Sequence, residues 1–141
     1  MGSGSRSVKP FRFSLDFHSG VPVYRQIVDQ VLLGIVSGSL ETGEQLPTVR
    51  QLAVDLSINP NTVVRAYHDL EARGAIETHQ GSGTFVGAPK LDRTEVQRQR
   101  HLDQLAGTFL ARAAEAGFSF KEVLQCLRNF ETDGESSRRK S

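Results

Sequence analysis

Residues 57–65 read SINPNTVVR, and the proline in this stretch marks the point where a helix begins. Proline disrupts the interior of a helix, but it suits the first helical position because the N–H group there has no helical partner anyway. Asn59 is a favoured N-cap residue, since its side chain accepts a hydrogen bond from a free N–H of the first turn. The stretch therefore predicts a helix that is capped by Asn59 and starts at Pro60.

The helix that follows has an apolar face and a polar face. Val63, Tyr67, Leu70 and Gly74 recur at helical spacing, so this face is expected to pack on a core. The opposite face is polar and is expected to be exposed; its members are Asn61, Thr62, Arg65, His68 and Asp69. Because Asn61 and Thr62 also suit a capping role, contact with a ligand and capping of the helix both stay open for them.

A shorter helix precedes this one. In LPTVRQLAVDLSI, residues 46–58, Pro47 is expected to open a helix over residues 47–55, whose apolar face is formed by Val49, Leu52, Ala53 and Leu56. A turn of about four residues then leads to Asn59. Two short helices in this arrangement predict a helix-turn-helix motif, in which the second helix enters the major groove of DNA.

The segments before this motif are a third helix and an arm. Pro22 is expected to occupy the first position of a helix that carries Val23, Ile27, Val31 and Ile35 at spacings of four and ends at Ser37 and Gly38. Residues 1–20 begin with small polar residues, and we expect them to form a flexible N-terminal arm.

A β-hairpin is predicted after the second helix of this motif, the recognition helix. In AIETHQGSGTFVG, residues 75–87, Ile76 and Thr78 alternate with Glu77 and His79, and a Gly-Ser-Gly turn follows before Thr84, Phe85 and Val86. A hairpin in this place makes a winged helix, with a wing tip from Gln80 to Gly83 that can approach DNA closely. Residues Gln45 and Leu46 are expected to add a short third strand.

The remaining residues predict a helical hairpin. One helix spans about 92–116 and carries a stripe formed by Leu102, Leu105, Phe109, Ala113 and Ala116, and Gly117 closes it. Ser119 and Glu122 form a capping box at the start of a second helix, from Phe120 to about Phe130. The apolar face of this helix consists of Phe120, Val123, Leu124 and Leu127.

Two helices alone bury too little surface to be stable, so we expect a second chain to cover their apolar faces. The predicted dimerisation residues are Leu102, Leu105, Phe109, Ala113, Phe120, Val123, Leu124 and Leu127. The cluster of Phe109, Phe118 and Phe120 is interpreted as core rather than as a ligand pocket, and Cys126 as a buried, inert thiol. Residues 131–141 lack apolar groups, and disorder is predicted for them.

The fold class is therefore mainly α with a small β-hairpin (α+β). The expected order is a flexible arm (1–20), a winged helix-turn-helix domain (21–88), a helical dimerisation or effector segment (89–130) and a disordered tail (131–141). No apolar run reaches the roughly 18 residues that a membrane-spanning helix needs, and the chain has one cysteine, so a cytoplasmic protein with no membrane partner is expected. No nucleophile with a base and no metal-ligand spacing is present in the sequence, which predicts a non-enzymatic protein without a cofactor.

Four motifs in order carry a family resemblance: PVYRQIVDQV, LPTVRQLA, NPNTVVRAYHDLEARG and GSGTFV. Over residues 21–87 they resemble the N-terminal domain of the GntR family of bacterial transcription regulators. The short helical remainder is similar to the YtrA subfamily, whose last helices serve for dimerisation. This resemblance implies a homodimeric repressor of a palindromic operator, with a transporter operon as the regulated target, and leaves room for an unknown small-molecule effector.

The resemblance also implies which residues contact double-stranded DNA. Arg50, Asn61, Thr62 and Arg65 match DNA-contacting positions of the family, and Gly81 and Gly83 match its wing tip. Pro60 and His79 depart from the family, which often has arginine at both places. The predicted DNA-binding set is Thr48, Arg50, Asn59, Asn61, Thr62, Arg65, His79, Gln80, Gly81, Ser82 and Gly83.

The charge of the winged domain argues against DNA binding. Residues 21–88 hold four basic residues against seven acidic ones, a net charge of −3, whereas a DNA-binding domain usually has a basic surface. A winged helix that binds RNA or a protein partner is therefore the alternative function.

Overall fold

The computed structural model describes residues 11–140 and contains five helices and three strands in that range. The helices are α1 (Val23–Ser37), α2 (Val49–Leu56), α3 (Pro60–Ala72), α4 (Arg93–Glu115) and α5 (Phe120–Lys140). The strands are β1 (Gln45–Leu46), β2 (Ile76–His79) and β3 (Gly83–Val86). The order is that of a winged helix-turn-helix followed by a helical hairpin, which confirms the predicted fold class.

The start of α3 is as the sequence predicted. The side-chain oxygen of Asn59 accepts a hydrogen bond from the backbone N–H of Asn61 at 2.8 Å, and Pro60 occupies the first turn. The start of α2 differs from the prediction, because Thr48 and not Pro47 is the boundary residue. Thr48 Oγ1 accepts a hydrogen bond from the N–H of Gln51 at 3.1 Å, so the helix begins after Thr48 and Pro47 lies outside it.

A single apolar core joins the three helices of the winged domain to its sheet. Ile27, Val28 and Val31 of α1 are fully buried, as are Val63 and Leu70 of α3. The phenol of Tyr67 is largely buried and donates a hydrogen bond to the carbonyl oxygen of Pro47 at 2.7 Å. This bond ties α3 to the segment that leads into α2.

The sheet has three antiparallel strands in the order β1, β3, β2. Leu46 pairs with Thr84, and Ile76 pairs with Val86. The predicted third strand at Gln45 and Leu46 is therefore confirmed. The hairpin of β2 and β3 follows α3 after a short turn, and β2 packs against that helix.

Residues 11–20 are attached to α1, so the prediction of a flexible arm was wrong for them. The side-chain amide of Gln30 accepts a hydrogen bond from the N–H of Ser14 and donates one to its carbonyl oxygen, both at 2.8 Å. Phe11 and Phe13 pack against the core and against each other. The earlier part of the predicted arm lies outside the described residues.

The hairpin of α4 and α5 begins at the predicted caps. Asp92 caps α4, and Ser119 and Glu122 exchange the two hydrogen bonds of a capping box. Helix α5, however, ends at Lys140 and not at about Phe130, so the prediction of disorder from residue 131 was wrong up to residue 140. The apolar pattern stops near residue 130, but no proline follows and polar residues such as Glu131 are compatible with a helix.

Candidate nucleic-acid interface

The outward face of α3 is exposed along its first two turns. Asn61, Arg65 and His68 are exposed, as predicted, whereas Thr62 is only half-buried and Asp69 is turned partly toward Arg73. The buried residues of the same helix are Val63, Ala66, Tyr67 and Leu70. The core therefore fixes the rotation of α3, and the first two turns present polar side chains to the solvent.

Arg65 is held against α1. Its guanidinium carbon lies 3.9 Å from the centroid of the Tyr24 ring. A guanidinium stacked on an aromatic face keeps its donors free in the plane of the group, while its flat side is covered. Arg65 is thus oriented by a residue 41 positions earlier in the sequence.

The four arginines of the winged domain fall into two pairs. Arg25 is ion-paired with Asp29 and Asp103, and Arg73 with Asp69, so the charges of these two are compensated within the chain. Arg50 and Arg65 are exposed and lie on α2 and α3, the two helices of the helix-turn-helix. The net negative charge of the domain therefore coexists with two exposed arginines on the helix-turn-helix.

Two residues predicted to contact DNA already make hydrogen bonds as helix caps. The side-chain oxygens of Thr48 and Asn59 accept backbone N–H groups of α2 and α3. Both residues are exposed, so they lie at the surface beside Arg50 and Asn61. Their first role is to define where the two helices begin.

The wing tip depends on glycine. Gly81 and Gly83 have φ angles of +84° and +125°, in the range that favours glycine. A Cβ at Gly83 would lie 2.6 Å from the side-chain nitrogen of Gln45, which donates a hydrogen bond to the carbonyl oxygen of Ser82 at 3.2 Å. A Cβ at Gly81 would meet open space. The side chain of Gln45 from β1 therefore contacts the tip at Ser82 and Gly83, whereas the side of Gly81 is open.

His79 lies at the end of β2, before the wing tip. Its Nε2 is 3.3 Å from a carboxylate oxygen of Glu77, and its ring is tilted against Phe85 at a centroid distance of 5.5 Å. Gln80 and Ser82 are exposed beside the two glycines. The predicted wing residues are thus brought together, with His79 turned toward the side of the hairpin.

Helix α4 is joined to the winged domain through its inner face. The N–H of Gly20 donates a hydrogen bond to the carbonyl oxygen of Gly107 at 3.0 Å, and Arg25 Nε donates one to Asp103 at 2.8 Å. A Cβ at Gly107 would lie 2.7 Å from the backbone nitrogen of Val21, so the two backbones are in close contact. The contacts at this junction fix the position of α4 relative to α1.

A buried carboxylate lies in this junction. Asp29 is only 6% exposed, and burial together with a hydrogen bond to Asp103 raises its pKa to about 7. Burial alone would raise the pKa of Asp103 as well, but hydrogen bonds from Asp29, Arg25 and Gln99 lower it below its usual value. Of the two carboxyl groups, Asp29 is therefore the one whose protonated form the junction favours.

The outer face of α4 and α5 is apolar and exposed in the single chain. Leu102, Leu105, Phe109, Phe120 and Leu127 are between 45% and 64% exposed, whereas Val123 is buried within the hairpin. The interpretation of Phe109, Phe118 and Phe120 as core was wrong for one chain, since all three are exposed. Cys126, predicted to be buried, is also exposed, because α4 is the one element of the described part of the chain against which α5 packs.

Three residues of the candidate nucleic-acid interface were not predicted from the sequence to belong to it. Tyr24 supports Arg65, Gln45 supports the wing, and Val64 lies exposed on the polar face of α3. The stripe of Val63, Tyr67 and Leu70 was the available signal for Val64, because successive helical residues are about 100° apart and Val64 lies to the side of that stripe. Contacts of Tyr24 and Gln45 join distant parts of the chain and leave no local pattern.

A winged helix-turn-helix with an exposed polar recognition helix is the architecture of DNA-binding transcription regulators. Residues 23–86 match the family model described as bacterial regulatory proteins, gntR family. The chain is 33% identical over 118 residues to the HTH-type transcriptional regulator YhcF of Bacillus subtilis, an alignment that covers 84% of this chain and 97% of YhcF. The chain belongs to the GntR family and is a DNA-binding transcriptional regulator.

Two further similarities agree with this assignment. Over 72 residues the chain is 43% identical to the HTH-type transcriptional repressor YtrA of Bacillus subtilis, covering 51% of this chain and 55% of YtrA. It superposes with a TM-score of 0.56 on the crystal structure of a transcriptional antiterminator from Listeria monocytogenes EGD-e, at 30% identity, covering 89% of this chain and 93% of that chain. The predicted resemblance to YtrA-like GntR regulators is confirmed, and the relatives are named as regulators rather than enzymes.

In the part of the chain that the structure describes, no helix is both long and apolar enough to cross a membrane. Within the same residues, no group of histidine, cysteine and acidic side chains is arranged to hold a metal ion.

Proposed function

We propose that this regulator acts as a homodimer that represses transcription by binding a palindromic operator overlapping a promoter. One observation carries the proposal: the chain presents two separate surfaces, the polar face of α3 and the apolar face of α4 and α5, on units joined at Gly20 and Gly107. The first surface suits the major groove and the second suits another copy of itself.

The dimer follows from the size of the apolar face. Several large apolar side chains are exposed on α4 and α5 in the single chain: Leu102, Leu105, Phe109, Phe118, Phe120, Leu127 and Phe130. Several exposed apolar side chains on two helices that pack together are typical of an interface. A symmetric pair of such hairpins forms a four-helix core and sets two α3 helices about 10 base pairs apart, or a multiple of that.

The proposed DNA contacts come from two parts of the winged domain, the helix-turn-helix and the wing. Arg50 and Arg65 would contact phosphates or guanine, Asn61 and Thr62 base edges, and the backbone around Gly81 the sugar-phosphate chain beside the wing. Because only two uncompensated arginines per protomer lie on the helix-turn-helix, we expect a shallow dependence of affinity on salt concentration.

The test is selection of duplexes from a random pool by the full chain, followed by titration of a selected and a scrambled duplex at two salt concentrations. The proposal expects a palindromic selected site, two chains per duplex and weaker binding to the scrambled duplex. Failure to bind any duplex would favour the alternative of an RNA or protein partner, in line with the net negative charge. Binding of one chain per duplex would refute the dimer.

Repression and the regulated genes need a separate measurement. A reporter driven by a promoter that contains the selected site should be expressed less when the chain is present in the cytoplasm, where we propose that it acts. The resemblance to YtrA-like regulators extends the proposal to a transporter operon. Selected sites upstream of transporter genes would support it, and increased reporter expression would identify an activator instead.

A further inference from the structure

One apolar side chain interrupts the polar face of α3. Val64 is 49% exposed, although its neighbour Val63 is fully buried in the core. Successive residues of a helix are about 100° apart, so the rotation that buries Val63 turns Val64 away from the core. The exposure of Val64 is thus imposed by the packing of Val63, Ala66, Tyr67 and Leu70.

The neighbours of Val64 on this face are the residues of the DNA-contacting surface. Asn61 precedes it by three positions and His68 follows it by four, spacings that place side chains next to each other on a helix. Arg65 follows directly and is fixed by Tyr24. Val64 therefore lies inside the surface that faces the groove and not at its edge.

The small size of the exposed apolar surface at Val64 indicates what kind of group it contacts. Among the described residues, Val64 is the one exposed large apolar side chain of α3, and Val54 of α2 is the other one on the helix-turn-helix. A protein partner would require a contiguous apolar patch, which one valine does not provide. The major groove offers an apolar group of matching size, the 5-methyl group of thymine.

We infer that Val64 contacts the 5-methyl group of a thymine in the major groove and makes one position of each operator half-site selective for thymine. The inference rests on the proposed insertion of α3 into the groove and adds a base and a side chain to it. The contact buries methyl groups on both sides. Losing the thymine methyl should then cost about fourfold in affinity at that position.

The test combines Val64→Ala with deoxyuridine, which lacks the methyl group of thymine but keeps its hydrogen-bonding edge. Alanine is a better helix former than valine, so α3 should stay folded in the variant. Each thymine of the selected duplex is replaced in turn, and both proteins are titrated with every duplex. Val54→Ala, at a 72% exposed valine of α2, is the matched control.

The expected result is one thymine per half-site at which deoxyuridine weakens wild-type binding about fourfold and leaves binding by Val64→Ala unchanged. The Val54→Ala control should show the same loss as the wild type. The inference is overturned if no fixed thymine occurs in the selected sites, or if Val64→Ala keeps the same sensitivity to deoxyuridine. A chain that binds no duplex at all would instead refute the proposed function.

Discussion

The guanidinium of Arg65 stacks on the ring of Tyr24, with 3.9 Å between the guanidinium carbon and the ring centroid. The contact joins the second turn of α3 to the first turn of α1. Its consequence is that the exposed arginine of α3 is oriented in the chain without DNA. Fixing a long side chain in advance removes an ordering cost of about 0.5–1.5 kcal/mol from the binding step.

We therefore expect Arg65→Ala to weaken specific DNA binding by about 1–3 kcal/mol, and Tyr24→Leu to weaken it by about 0.5–1.5 kcal/mol. Tyr24→Phe keeps the aromatic face and should bind as the wild type does. Titration of the selected duplex with all three variants and with the double variant Tyr24→Leu, Arg65→Ala measures these effects. If Tyr24→Leu weakens binding further in the absence of Arg65, the ring acts on DNA by another route.

The junction of Gly20 and Gly107 makes a second prediction. In Gly107→Ala the new Cβ would lie 2.4 Å from Val21 Cγ2 and 2.7 Å from its backbone nitrogen, so α4 has to move away from α1. We expect the free energy of unfolding to fall by about 1–3 kcal/mol. Urea unfolding at fixed protein concentration measures it.

Gly134→Ala is the matched control for this change. Gly134 is also in a helix, but a Cβ there would meet no atom within 4 Å. Alanine should therefore stabilise α5 by about 0.5–1 kcal/mol, as is usual for glycine in a helix interior. Equal effects of the two substitutions would mean that α4 is not closely packed on the winged domain.

The buried Asp29 predicts a pH dependence of stability. Its folded-state pKa, raised to about 7 by burial and by Asp103, lies above the ordinary value of 3.8. The folded chain therefore holds a proton that the unfolded chain has lost between these values, and stability should fall as pH rises from about 4 to 7. The slope for one such group is at most about 1.4 kcal/mol per pH unit.

Asp29→Asn removes the titrating group from this junction. We expect the free energy of unfolding of the variant to change less between pH 5 and pH 8 than that of the wild type. The stability of the variant minus that of the wild type should therefore be larger at pH 8 than at pH 5. Urea midpoints at the two pH values give the result. A pH dependence that survives the substitution unchanged would assign it to groups other than Asp29.

Local signals predicted most of the fold. Asn59 and Pro60 define the start of α3, and Ser119 and Glu122 define the start of α5, because a capping hydrogen bond spans only two or three residues. The same reasoning misplaced the start of α2 by choosing Pro47 over Thr48. Both residues are helix-start signals, and only the geometry of the Thr48 side chain decides between them.

Contacts between distant residues could not be predicted in this way. The bonds between Ser14 and Gln30, and the stacking of Arg65 on Tyr24, depend on how α1 packs against other elements. The polar face of α3 was predictable from periodicity, but the exposure of Val64 required the rotation that the core imposes. The candidate site was thus predictable in its polar residues and not in its apolar residue or its supports.

The apolar face of α4 and α5 leads to the last prediction, which concerns assembly. Phe109 is 49% exposed in the single chain and lies on the stripe that a second copy is proposed to cover. Phe109→Glu would bury a charge in that interface, so we expect the variant to have half the mass of the wild type in light scattering and to lose specific DNA binding. Gln97→Glu adds the same charge at an exposed position on another side of α4 and should stay dimeric. A Phe109→Glu variant that keeps the wild-type mass would show that this face is not the interface, and a wild-type chain that is already monomeric would remove the dimer from the proposed function.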